Sequence, residues 1–322
     1  MAPETLSEQL VKYLTDVHAM EVQALAQMRK APDLAGDPDV AAAFEEHRKE
    51  TERHEQLIRE RLEVHDASPS RIEDLLGAIS GKGFVLFAKA NPDTPGKLAT
   101  HAYSYEHMEL AAYDLLERVA IRAGDEDTAR VAREIRAEEE AMAIRIGESW
   151  DKTVAASLRD RDPGEHIDDY LADAHALEAQ ANALLDKGPK LAAGTPLAAV
   201  LENHHAQTQR HSELVERRLS EIGASPSRLK DAALKLGGLN WGGFWAANPD
   251  TPAKLAMFAY AFEHLEIGAY EQLTRTARLA GDGDTAMIAD TILPDERAAA
   301  ELIFGTFDAA LDASLREVAQ RG

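Results

Sequence analysis

The chain has 322 residues, enough for two domains of ordinary size, and its formal net charge of −22 disfavours nucleic acid and anionic membranes as partners. It has no cysteine, so disulfides, thiolate zinc sites and iron–sulfur clusters are excluded, and any metal must be held by imidazole and oxygen ligands. No run approaches the length of a membrane span, and the first residues do not resemble a secretion signal. We therefore expect a cytoplasmic protein.

The chain repeats itself at a constant spacing. Tyr13 pairs with Tyr170 and His47 with His204, and both differences, 170 − 13 and 204 − 47, equal 157. Because the offset stays constant along nearly the whole repeat, the loops of the two copies must match in length as well. The sequence therefore predicts two tandem domains of the same topology, residues 1–160 and 161–322.

Helix-start and helix-stop signals divide each copy into four long helices. In the first copy they predict helices over about residues 5–28, 37–64, 94–123 and 127–157, and the second copy repeats the pattern. A connection from Ser68 to Asp93, with a short helical pattern of its own, separates the second helix from the third. We predict an all-α protein of two tandem ferritin-like four-helix bundles, each with a long crossover that contains a short helix between helices 2 and 3.

Polar residues recur at the 157-residue offset within the apolar helix faces. Several carboxylates in a bundle core would repel one another and lose hydration unless cations neutralised them. Carboxylates with imidazoles suit iron or manganese, and two such ions about 3.5 to 4 Å apart form a dinuclear centre. The candidate metal ligands are Glu21, His47, Glu50, His54, Glu106, Glu109 and Glu139, their counterparts Glu178, His204, Gln207, His211, Glu263, Glu266 and Glu296, and as further possibilities His18 and His175.

The string H-x-x-E/Q-T-x-x-H at His47 to His54 and His204 to His211, followed by E-H-x-E-x-x-x-Y on helix 3 and an acidic pair on helix 4, resembles the YciE/YciF family of bacterial ferritin-like stress proteins. The resemblance covers nearly all of each copy. It implies one dinuclear metal site in each bundle, and an intramolecular pseudo-dimer that can assemble further into homo-oligomers. It also carries over Glu21, His47, Glu50, Glu106, Glu109, Glu139 and the corresponding second-copy residues as site residues.

Two features depart from this pattern. A ferritin-type Glu-x-x-His on helix 4 is missing because Met142 and Ala299 stand at the histidine position, which leaves His54 or His18 to complete the site. In the second copy Gln207 replaces Glu50, at a position that either ligates the metal or supports a ligand, and Pro294 is expected to kink helix 4 beside Glu296. We therefore expect site 2 to be altered or to hold a single metal ion.

Other recurring residues have more than one interpretation. Tyr113 and Tyr270 are candidate catalytic residues, either redox-active or bonded to a ligand carboxylate, although their spacing also suits core aromatics. His107 and His264 are expected to be hydrogen-bonded core or interface residues. The acids before the helix-4 glutamates, Glu138 and Asp295, either support a ligand or face solvent.

The function predicted from these residues is redox handling of peroxide or dioxygen by two iron or manganese ions per site in a stress response. One alternative is a non-catalytic stress protein whose metal is structural or lost. Another is an oxygenase that acts on a small organic substrate, with the divergent crossovers GKGFVLF and GGLNWGGFW shaping the pocket. Whether the protein is an enzyme therefore stays open at this point.

Overall fold

A computed structural model describes residues 3–67, 94–224 and 251–321, and all regular structure in these ranges is helical. The chain divides into two compact units, Met1–Ser157 and Leu158–Gly322. The helices of unit 1 are α1 (Pro3–Met28), α2 (Ala31–Leu34), α3 (Pro38–Val64), α4 (Thr94–Ala123), α5 (Glu126–Gly147) and α6 (Trp150–Ser157). Those of unit 2 are a 3-10 turn (Pro163–His166), α7 (Ile167–Leu191), α8 (Pro196–Glu221), α9 (Thr251–Ala280), α10 (Gly283–Phe304) and α11 (Phe307–Arg321).

Each unit is built around a ring of four long helices. In unit 1, α1 packs against α3 and α4, and α5 packs against α4 and α3; in unit 2, α7, α8, α9 and α10 repeat these contacts. The buried residues of α3 recur every three or four positions, as an amphipathic helix facing a core requires: Val40, Phe44, His47, Thr51, His54, Ile58 and Leu62. The prediction of an all-α protein with two tandem bundles is confirmed.

The fourth helix of each copy is broken, whereas the sequence predicted one continuous helix to Ser157. After Gly147 the Ser149 hydroxyl donates to the Ile146 carbonyl at 2.8 Å, and in unit 2 Thr306 does the same to Ile303 at 2.7 Å. Such local side-chain bonds compete with the helical ladder and tighten the turn. A new helix then starts at Trp150 and at Phe307.

The predicted crossovers, with their short helix and the tryptophans Trp241 and Trp245, lie outside the described residues. Pro294 lies on the exposed face of α10, and the helix continues through it to Phe304. The kink expected at this proline stays a prediction.

Asp125 caps the N-terminus of α5 and joins it to α3. Its carboxylate accepts from the Thr128 backbone N–H (3.0 Å), the Thr128 hydroxyl (2.6 Å), Arg61 (3.0 Å) and His65 (2.8 Å). Asp282 makes the equivalent contacts with Thr285 and Arg218 in unit 2, where Ile222 stands in place of His65. One carboxylate thus closes the turn and clamps two helices.

We expect Asp125→Ala to destabilise unit 1 by about 2 kcal/mol at pH 7, since it removes a cap and leaves donors unpaired. Burial alone would raise the pKa of Asp125, but the bonds from Thr128, His65 and Arg61 outweigh it and lower that pKa. The stabilisation is therefore present above the unfolded-state pKa of about 4 and is lost as pH falls below it. The difference in melting temperature between the wild type and the variant should therefore shrink as the pH is lowered from 7 to 3. A difference that does not depend on pH would contradict this account.

Candidate metal centre

Six buried side chains from four helices meet in the middle of each bundle. Within α3, His47 and His54 are seven residues apart, so they share one face about two turns apart, and their ring centroids are 6.4 Å apart. The six in unit 1 are Glu21, His47, His54, Glu106, Glu109 and Glu139, and those in unit 2 are Glu178, His204, His211, Glu263, Glu266 and Glu296. Both units therefore present four carboxylates and two imidazoles.

A single carboxylate links the two histidines of each unit. In unit 1, Glu139 Oε1 lies 2.8 Å from His54 Nδ1, while its Oε2 lies 3.2 Å from His47 Nε2. In unit 2, Glu296 Oε1 lies 2.8 Å from His211 Nδ1 and its Oε2 3.3 Å from His204 Nε2. The two oxygens of one carboxylate thus face different imidazoles, which is the arrangement of a carboxylate that bridges two metal ions.

The potential ligand atoms form two groups in each unit, and each pair of groups shares this carboxylate. Within a group the ligand atoms all lie within 4.8 Å of one another. The groups of unit 1 are Glu21, His54 and Glu139, and His47, Glu106 and Glu139. The groups of unit 2 are Glu178, His211 and Glu296, and His204, Glu263, Glu266 and Glu296. Glu109 is buried beside its cluster without joining a group, unlike its counterpart Glu266.

Many of these buried oxygens and nitrogens make no hydrogen bond. Although Glu139 lies 2.8 and 3.2 Å from two imidazole nitrogens, both oxygens of Glu106, Glu139, Glu266 and Glu296 lack a partner with hydrogen-bond geometry, as does Oε1 of Glu109. Unsatisfied buried polar atoms cost free energy and need an explanation. Two divalent cations in each unit would balance four carboxylate charges and occupy the vacant lone pairs. The residues present therefore fit a dinuclear carboxylate–histidine centre.

Without metal, the carboxylates of each cluster favour their protonated forms. Burial raises the pKa of Glu21 to about 8 and that of Glu106 to about 7, and it raises the pKa of Glu109 well above its usual value. Glu139 is the exception, because contacts with His47 and His54 outweigh its burial and lower its pKa. In unit 2 the pKa of Glu178 is likewise raised to about 8. Metal entering either site must displace protons.

The outward nitrogen of each histidine is held by a neighbouring side chain. His47 Nδ1 lies 3.0 Å from Glu50 Oε2, and His54 Nε2 lies 2.7 Å from Glu138 Oε2. In unit 2, Gln207 Oε1 lies 3.3 Å from His204 Nδ1, and Asp295 Oδ2 lies 3.1 Å from His211 Nε2. These partners fix the ring orientation and leave the other nitrogen facing the cluster.

The structure places some of the candidate metal ligands predicted from the sequence in the clusters and others outside them. Glu50 supports His47 and belongs to neither group of potential ligands in unit 1, and the Gln207 side-chain oxygen lies against the outward nitrogen of His204. His54 and His211 lie in the groups of potential ligands, whereas His18 and His175 do not. His18 Nε2 lies 2.9 Å from Glu55 Oε1, and His175 Nε2 lies 3.1 Å from Glu216 Oε1, so neither of them is brought into a cluster.

The recurring tyrosines and the helix-3 histidines also have defined partners. Tyr113 donates its hydroxyl proton to Glu21 Oε1, and Tyr270 donates to Glu178 Oε1 at 2.5 Å. Both tyrosines thus contact a candidate ligand carboxylate. His107 Nδ1 lies 2.7 Å from the Tyr103 carbonyl, and His264 Nδ1 lies 2.8 Å from that of Tyr260, as expected for hydrogen-bonded core residues.

Sequence reasoning missed one residue of the site. Tyr105, the residue before Glu106, donates to the carbonyl of Met20, the residue before Glu21, at 3.0 Å, and burial together with the charges of Glu109 and Glu21 raises its pKa. Its counterpart is Phe262. A comparison of the two copies selects residues that both keep, so a residue special to one copy gave no signal.

Fold and site together define a protein of two helical bundles, each with buried carboxylate and histidine groups that could hold metal ions. A family model described as "Domain of unknown function (DUF892)" matches residues 5–159 and again residues 162–315. The chain therefore belongs to this family and contains its domain twice. No solved structure matches the chain. Within the described ranges, none of the helices has the length and apolar character needed to cross a membrane.

Proposed function

We propose that each unit is a ferritin-like domain that binds two iron or manganese ions and exchanges electrons with peroxide or dioxygen. The observation that carries this proposal is the position of Glu139, whose two oxygens face His54 and His47 at 2.8 and 3.2 Å inside a ring of unsatisfied carboxylates. Glu296 repeats it at 2.8 and 3.3 Å. A structural salt bridge would not require so many buried acids.

Each side chain of the cluster has a role in the proposed electron exchange. When bound, the two ions supply one electron each to the oxidant. The residues that would hold the ions are Glu139, which both groups share, with His54 and Glu21 in one group and His47 and Glu106 in the other. Tyr113 fixes Glu21 through its hydroxyl and is placed to return a proton to that carboxylate. Full burial of the four carboxylates excludes bulk water from the centre.

Anaerobic loading with iron(II) or manganese(II) tests this proposal. We expect two ions per unit by elemental analysis, and an absorbance change of the iron-loaded chain after a pulse of oxygen or peroxide. Because binding stabilises the folded state, removing the metal with a chelator should lower the melting temperature. Failure to bind either metal would refute the metal centre, whereas binding without any oxidation would leave a purely structural metal, the first alternative.

The oxygenase alternative is favoured by a groove of about 320 Å³ in unit 1, between α3 and α5. Phe44 and Met142 line it and lie three residues from His47 and Glu139, so one helical turn separates the groove from the cluster. A small apolar molecule in this groove would perturb the spectrum of the metal-loaded chain. Filling the groove with Ala43→Phe should abolish that perturbation if a substrate binds there.

A further inference from the structure

The two clusters are built from the same residue types, and besides the placement of Glu109 and Glu266 they differ in the side chain that supports one histidine. A carboxylate, Glu50, holds His47 Nδ1 in unit 1, whereas an uncharged amide, Gln207, holds His204 Nδ1 in unit 2. The partner of the second histidine is acidic in both units, Glu138 and Asp295. Unit 1 therefore has two carboxylates supporting its histidines and unit 2 has one.

The residues around Glu50 also differ from those around Gln207. Arg145 lies 3.9 Å from Glu50 Oε1 and 2.9 Å from Glu46 Oε2. At the positions equivalent to Arg145, Glu50 and Glu46, unit 2 has Leu302, Gln207 and Asn203, all of which are uncharged. The bond to His47 is the main cause of the lowered pKa of Glu50, and the charge of Arg145 adds to it, whereas Leu302 is uncharged and 60% exposed. A chance loss of one carboxylate would not require the arginine to change as well.

A carboxylate that accepts the Nδ1 proton makes the imidazole a stronger donor at Nε2, and it adds negative charge close to the bound ion. Both effects stabilise a trivalent ion more than a divalent one. We propose that the two units differ in redox potential: the centre of unit 1 is oxidised more readily by peroxide or dioxygen, and the centre of unit 2 keeps more of its ions divalent at the same potential. This inference rests on the proposed function.

Tyr105 supports the same assignment from a different position. Its oxidisable phenol bonds to the carbonyl of Met20, the residue before Glu21. Phe262 has no hydroxyl, and a phenyl ring is much harder to oxidise. Unit 1 therefore has two tyrosine hydroxyls that bond to α1 at Met20 and Glu21, those of Tyr105 and Tyr113, whereas unit 2 keeps only Tyr270 of that pair.

The reaction balances with peroxide alone as the oxidant. Two electrons leave the unit 1 centre, one from each ion, and with two protons they convert one hydrogen peroxide molecule into two water molecules. The oxidised centre then needs a reductant of the thiol or ferredoxin class to complete a cycle.

Each centre can be measured separately in full-length variants that keep only one dinuclear site and are loaded with iron(II) as the only metal. Glu296→Gln leaves the unit 1 centre as the dinuclear one, and Glu139→Gln leaves that of unit 2. Mössbauer spectra at a series of fixed potentials then give the oxidised fraction of each centre. We expect unit 1 to have the lower midpoint potential, with an oxidised-to-reduced ratio about tenfold higher at a given potential, in line with the effects of groups that support metal ligands.

Reciprocal double variants provide the matched control. Glu50→Gln with Arg145→Leu gives unit 1 the unit 2 pair and should raise its potential; Gln207→Glu with Leu302→Arg should lower that of unit 2. Iron content, measured in the same samples, shows whether a variant still binds. Equal potentials in the two centres, or double variants that keep iron but leave the potentials unchanged, would overturn the inference while leaving the metal sites intact. Loss of iron from every chain would instead refute the proposed function.

Discussion

Replacing Glu139 by glutamine is expected to halve the metal content of the chain. The amide keeps the shape of the side chain, but it is uncharged and presents only one oxygen, so it cannot bridge two ions facing His54 and His47. Both groups of unit 1 share this residue, and both should lose their ion together. Elemental analysis after loading and desalting measures the loss.

The matched variants separate this role from simple charge removal. Glu296→Gln should empty unit 2 in the same way, and the double variant should bind no metal. Glu138→Gln, one residue away, replaces the carboxylate that supports His54 with a neutral amide and leaves the shared ligand in place, so we expect affinity to fall by about 10- to 100-fold with unchanged stoichiometry at saturation. If Glu138→Gln and Glu139→Gln had equal effects, the bridging role would be wrong.

Replacing Glu266 is expected to change stability in opposite directions in the metal-free and the metal-bound protein. Glu266 is fully buried, neither of its oxygens has a hydrogen-bond partner, and burial with the charges of Glu296 and Glu178 raises its pKa well above the usual value. In the metal-free protein its burial favours the protonated form, and its oxygens stay without hydrogen-bond partners. We expect Glu266→Met to stabilise the metal-free chain by roughly 1 to 3 kcal/mol and to weaken metal binding in unit 2.

Denaturant unfolding with chelator and with saturating manganese(II) checks this prediction. The variant should be the more stable protein with chelator and the less stable one with metal. Glu109→Met is the matched change in unit 1, where the smaller set of unsatisfied atoms predicts a smaller gain in the metal-free state. A change of the same sign in both conditions would show that Glu266 acts as an ordinary core residue.

The comparison of the two copies predicted the bundles and the buried residues of the clusters. It could do so because His47, Glu106 and Glu139 keep their offset while their neighbours change. It could not place Glu50, because a residue three positions from a histidine can reach either the metal or the outward ring nitrogen, and helical spacing does not distinguish these. The choice depends on which nitrogen faces the core, and only the packing of α3 against α4 and α5 decides that.

The structure differs from the sequence prediction in two further respects, the break in the fourth helix and the position of His18, and both have similar physical causes. The break after Gly147 depends on a single hydroxyl bonding to a carbonyl three residues earlier, and serine is also tolerated inside helices. His18 and His54 both have the spacing of a core residue, but His18 is turned towards Glu55 by the rotation of α1. Helix rotation is set by the whole packed face, which short motifs do not record.

The tandem arrangement has a consequence for how the protein can change. In an assembly of identical subunits, any substitution appears in every copy at once. Here Glu50 and Gln207 occupy equivalent positions in one polypeptide, so one half can be altered while the other stays as it was. Synthesis from a single message also fixes the two kinds of bundle at a ratio of one to one. Gene fusion thus allows specialisation without separate regulation of two genes.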